Sequence, residues 1–138
     1  MRNAVAAVLV IALVLMFSAT ARAATIMVNS LADIGAPGIC VLRDAITAAN
    51  TLTATNGCTA GTGNDTIQFS VTGTIALART LPQITASLLT IMGPTAPGIT
   101  IDGGRKVQVM FIAAGATVKL HHLTIVHGQI SEDRKSVV

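Results

Sequence analysis

The 138-residue chain has no tryptophan, no tyrosine and only three phenylalanines, and charged residues make up 11% of it. A compact globule usually fills its core with some large rings. A chain without them must fill a narrow interior with aliphatic side chains. Scarce aromatics also remove the platforms on which sugars often stack. The formal net charge is +3, but Arg2 and Arg22 fall within the first 23 residues. Without them seven basic residues face six acids, a net charge of +1. Basic residues cluster nowhere beyond Arg105-Lys106, so nothing points to nucleic acid.

What the chain does have is aliphatic, at 51% hydrophobic residues. Residues 1–23 read as a secretory signal peptide. Arg2 gives a positive start, Ala4 to Phe17 is an unbroken apolar run, and Ala21-Arg22-Ala23 is an A-x-A cleavage signal. The run is short of the ~20 residues that span a bilayer. The expectation is export through a cleaved leader to the cell surface or medium, with no membrane span afterwards.

Cys40 and Cys58 are the only cysteines. In an exported chain an even count favours pairing. The bridge would close a loop worth about 3 kcal/mol in the chain-entropy model. The alternative is a pair of free, reactive or metal-binding thiols; no His or acidic partner sits at ligand spacing.

Between Thr66 and Val126 one short phrase recurs, a Thr-Ile or Thr-Val pair among apolar residues. Its copies include Asp65-Thr66-Ile67-Gln68-Phe69, Gly73-Thr74-Ile75, Leu89-Thr90-Ile91-Met92-Gly93, Ile99-Thr100-Ile101 and Leu123-Thr124-Ile125. Each is strand-sized with period-2 alternation and closes on a turn residue. Ile67, Ile75 and Leu77 recur 24 residues later as Ile91, Ile99 and Ile101, and Phe111, Val118 and Leu120 follow at 19 to 20. The repeat predicts an all-β fold: a right-handed parallel β-helix, or solenoid, of about three coils. Ile67, Ile75, Leu77, Leu89, Ile91, Ile99, Ile101, Phe111, Val118, Leu120, Leu123 and Ile125 are expected to point inward.

Before the repeat, Ala24 to Leu31 reads as a strand. From Val41 to Asn50, Leu42, Ala45, Ile46 and Ala49 fall at i, i+3, i+4 and i+7, one face of an amphipathic helix. Arg43, Asp44, Thr47 and Asn50 take the other faces. The organisation read from these signals is a leader (1–23), an N-terminal cap (24–63), coils (64–128) and an irregular tail (129–138). In the tail the pattern stops, and the expectation is a truncated gene fragment whose last residues resemble adapter read-through.

Cys40-Val41-Leu42-Arg43-Asp44-Ala45-Ile46, followed by Ala48-Ala49-Asn50, resembles the CSLREA motif near the N-terminus of large exported bacterial proteins, with Val41 for Ser and Asp44 for Glu. The strand phrases after it are similar to the opening of the parallel β-helices that carry this motif. The resemblance covers about residues 25–128. It implies a secreted or surface protein and brings no catalytic residues.

Candidate chemistry is thin. His121-His122 and His127 are the histidines. Strand alternation places the first two on opposite faces, as turn or exposed residues rather than ligands. Asp33, Asp65 and Asp102 lie singly in turns, where turn chemistry accounts for them better than a Ca²⁺ site does. Arg43 and Asp44 read as a surface ion pair, or as a hydrogen bond from the cap helix to the first coil, rather than a catalytic pair. Asn64-Asp65-Thr66 matches a glycosylation sequon that a bacterial origin leaves idle. No catalytic, cofactor or metal residues are assigned. The function expected is a structural or adhesive exported protein. Its partner would be a polysaccharide or a host or cell-surface ligand, bound on a flat face including Thr66, Gln68, Thr74, Thr90 and Thr100. The alternative is a fragment of a polysaccharide lyase or hydrolase.

Overall fold

Parallel strand pairing organises the molecule. The computed structural model describes residues 22–129. The elements run β1 (Thr25–Val28), α1 (Leu42–Thr51), β2 (Asn64–Phe69), β3 (Gly73–Ala76), β4 (Leu88–Met92), β5 (Ile99–Asp102), β6 (Thr117–His121) and β7 (Leu123–Val126). They form a four-stranded sheet in the order β1-β2-β4-β6 and a three-stranded sheet in the order β3-β5-β7. Every pairing between these strands is parallel. The leader read in residues 1–23 lies outside the described residues except for Arg22 and Ala23, and the tail lies outside them except for Gln129.

The strands form because Thr, Ile and Val suit a pleated, half-buried surface. Alternation sends one set of side chains inward. Ile26, Ile67 and Ile91 stand in register and are fully buried. In the second sheet Ile75 pairs with Ile101, both buried. A further contact line is made without regular strands: Ile84 bridges Ile112 in parallel, and Ile84 N–H donates to the Phe111 carbonyl at 2.8 Å.

The right-handed parallel β-helix is corrected by this arrangement. The described residues form two small parallel sheets of strands four to six residues long, and no solenoid is recognised in them. The single period behind that expectation does not hold. In the larger sheet Thr25, Thr66, Thr90 and Lys119 are successive partners, with offsets of 41, 24 and 29 residues. In the smaller sheet Thr74, Thr100 and Thr124 are partners, with offsets of 26 and 24. Connections of unequal length absorb the difference. Ile67 meets Ile91 as the repeat predicts, but Ile75 meets Ile101 rather than Ile99. Nor is the fold all-β, because α1 contributes core residues.

The inward list is corrected at its far end. Leu120 is 39% exposed, and Phe111, Val118, Leu123 and Ile125 are only partly buried. The physical reason is position: β6 and β7 are the last strands of their sheets among the described residues, so Leu120, Val118, Leu123 and Ile125 are covered by a neighbouring strand on one side only.

Helix α1 packs against β1 and β2. Leu42, Ala45, Ile46 and Ala49 are buried, as the spacing predicts, and Ala48 joins them. Val41 precedes the helix in extended conformation, with no side-chain cap. Leu52 ends it in the left-handed region at φ 55°, a position more often taken by glycine. The Cys40–Cys58 disulfide is formed, with Cα atoms 4.7 Å apart. It ties the segment just before α1 to the loop after it. Gly57 is obligatory in that loop, because a Cβ there would lie 2.5 Å from the Gly38 carbonyl carbon.

Candidate functional site

The motif on α1 builds a buried electrostatic clamp. Arg43 was expected on a polar helix face, yet its side chain is only 9% exposed. Its Nη2 donates to Asp33 Oδ1 at 2.6 Å and to the Arg79 carbonyl at 2.8 Å. Its Nη1 donates to the Thr80 carbonyl at 2.7 Å, and its Nε to the Asp33 carbonyl and Oδ1 at 3.2 Å. Asp33 Oδ2 accepts the Ala78 N–H at 3.1 Å. The planar guanidinium suits this use, since it offers donors in a fixed fork. The result joins three segments: the loop after β1, the helix and the chain after β3. Both charges are directed at each other and at backbone groups, so the pair serves to hold the fold together.

Arg43 and Asp44 therefore do not pair. Asp44 instead accepts from Asn56 Nδ2 at 2.7 Å, and its Oδ2 occupies the space that a Cβ on Gly35 would need. Leu42, Ala45 and Ile46 complete the motif as core. A residue given no role by the sequence reading, Asn50, staples the helix end to the chain before β4. Its Nδ2 donates to the Gln83 carbonyl at 2.7 Å, while its Oδ1 accepts the Thr85 and Ala86 N–H groups at 2.9 and 3.1 Å.

Asp65 is also structural. It is 2% exposed. Its Oδ1 accepts the Thr62 N–H at 2.8 Å and the Thr62 hydroxyl at 3.0 Å, and its Oδ2 accepts the Gly63 N–H at 3.2 Å. Asp65 stands at the start of β2 rather than in the turn expected for it, and its carboxylate holds the turn just before the strand. Asp102 caps its own turn by accepting the Gly104 N–H at 2.8 Å, and it also meets His127 Nδ1 at 3.0 Å. The Gly104 N–H first, and the His127 contact second, hold the Asp102 carboxyl below its ordinary range. The register that pairs Asp102 with Val126 is what brings His127 beside it.

His121 ends β6, and His122 turns the corner into β7 at φ 53°. Both are exposed, so the corner breaks the alternation that would have put them on opposite faces. Among the described residues no three His, Cys, Asp or Glu side chains gather as metal ligands would. Among them also, no helix is long and apolar enough to cross a membrane.

The outward faces carry ordered rows. On the larger sheet Thr25, Thr66, Thr90 and Lys119 form one row, and Met27, Gln68, Met92 and His121 form the next. On the smaller sheet Thr74, Thr100 and Thr124 form a third. The five residues expected on one flat face are thus divided between two sheets. Comparison with known proteins adds nothing to this picture: no protein-family model, no curated protein and no solved structure matches the chain.

Proposed function

We propose that this is an exported structural or adhesive protein that displays the outer face of its larger sheet to a polysaccharide or to a host or cell-surface ligand. The observation that carries the reading is the row Thr25, Thr66, Thr90, Lys119, in register on adjacent strands. Parallel pairing sets such hydroxyls about 4.8 Å apart. That spacing offers repeated, shallow hydrogen bonding rather than a deep pocket. The leader-like N-terminus, the disulfide and the resemblance to the CSLREA proteins support export. The burial of Arg43, Asp33 and Asp65 in structural bonds supports a role without catalysis.

One observation favours a second reading, a fragment of a polysaccharide lyase or hydrolase. The Asp102–His127 contact orients an exposed imidazole, the arrangement by which a general base is often held. One experiment separates the two. The protein is incubated with insoluble and soluble polysaccharides; bound protein and released reducing or unsaturated sugar are both measured. The adhesive reading expects retention that Thr66→Val with Thr90→Val weakens, and no released sugar. Turnover abolished by His127→Gln would replace it with the enzyme reading, and absence of both would reject the polysaccharide ligand.

A further inference from the structure

We propose that Met92 and His121 form a binding site for a single soft monovalent cation, Cu(I) or Ag(I), on the outer face of the larger sheet. The two residues are register partners on the adjacent strands β4 and β6. Both side chains leave the same face, and Met92 is 37% exposed. Parallel strands lie about 4.8 Å apart. A flexible thioether and an imidazole at that separation can close on one ion between them.

The chemistry of the surrounding rows selects the metal class. The two outward rows contain threonines, Gln68, Lys119, methionines and His121, with no carboxylate. Thioether and imidazole are both neutral, and soft sulfur selects Cu(I) over hard or borderline dications. Lys119, two residues before His121 on the same face, disfavours a doubly charged ion more than a singly charged one. Both cysteines are held in the disulfide, so no thiolate competes for the metal among the described residues.

The backbone beneath the pair is rigid. Gly93 N–H donates to the His121 carbonyl at 2.9 Å. A Cβ on Gly93 would collide with the His122 carbonyl oxygen, so the two strand ends meet at a distance that only glycine allows. The donors are thus fixed at their Cα positions before any ion arrives, which lowers the ordering cost of binding.

The test uses Ag(I), which has no redox step, in chloride-free buffer with the disulfide-bonded exported form. Titration calorimetry gives affinity, and NMR follows the Met92 methyl and the His121 ring. The expected result is one Ag(I) that shifts both signals together. Met92→Leu and His121→Gln should each weaken binding about tenfold or more, as losing a direct ligand must cost at least what losing its outer support does. Met27→Leu, two strands away beyond Gln68, and His122→Gln should bind like the parent. All four positions are exposed, so the variants should fold, and thermal melting checks this. Absence of Ag(I) binding, unchanged affinity in Met92→Leu or His121→Gln, or a loss centred on His122→Gln would each overturn the assignment.

Discussion

Arg43 donates to Asp33 across 2.6 Å with both side chains more than nine-tenths buried, and the same guanidinium holds two carbonyls of the chain after β3. The helix, the first loop and the chain after β3 therefore share one charged fastener. Removing either partner strands the other charge away from water. Breaking such a pair costs about 3–5 kcal/mol. Asp33→Asn and Arg43→Met should each lower the urea-unfolding free energy by that order. A double variant with apolar residues at both positions should recover part of the loss. Two single losses near zero would mean that the pair is solvated and the clamp mechanically idle.

The Cys40–Cys58 bridge constrains a loop that includes all of α1. Reduction should cost about 3 kcal/mol if the chain-entropy account holds. It should also loosen the helix first, because the bond's two ends flank it. Hydrogen exchange with and without reductant measures both. A maleimide probe should find no thiol in the denatured, oxidised protein; two labelled cysteines would remove the bridge from the native state.

How much of this was legible beforehand follows from which interactions leave a residue-type trace. Leu42, Ala45, Ile46 and Ala49 repeat at helical spacing, so α1 was visible to within a residue. Ile67 and Ile91 each follow a Thr in the recurring Thr-Ile phrase, and their partnership was visible too. Ile75 with Ile101 was not, because the connections in the two sheets differ in length and a common period misplaces the partner by two residues. The burial of Arg43 was hidden for a different reason. Two of its acceptors are backbone carbonyls of Arg79 and Thr80, and a carbonyl has no side-chain signature. The Asp102–His127 contact spans 25 residues and depends on strand register alone. Met92 and His121 are partners by that same register; the sequence reading weighed His121 as a ligand and set it aside, and gave Met92 no role.

Asp102 links acidity to stability. Its carboxyl is held below its ordinary value of 3.8. A group depressed in the folded state stabilises above its unfolded pKa and loses that contribution as pH falls through the folded pKa. The contribution of the Gly104 and His127 contacts should therefore be complete by about pH 5 and vanish below the normal aspartate range. Asp102→Asn should melt lower than the parent at pH 6, and the two should converge at pH 2–3. A gap that persists unchanged at pH 2 would mean that the amide disrupts packing rather than removing a charge.

Position along the core row Ile26, Ile67, Ile91, Leu120 should set the cost of truncation. These residues are register partners in the larger sheet. Ile67 and Ile91 are fully buried between neighbouring strands, whereas Leu120, on the last strand of the sheet among the described residues, is 39% exposed. Removing buried methyl and methylene groups costs their transfer free energy plus that of the cavity left behind, together about 2–5 kcal/mol for an Ile→Ala change. Leu120 keeps part of its side chain in water, and a truncated Leu120 leaves an open notch rather than an enclosed void. Ile67→Ala and Ile91→Ala should each fall in the full range, and Leu120→Ala should cost clearly less than either. The three variants share a row, a sheet and an aliphatic parent, so burial is the main variable between them. Equal losses for Leu120→Ala and Ile91→Ala in the same urea titration would show that Leu120 is covered in solution, and that the far end of the sheet is not the exposed edge seen in the structure.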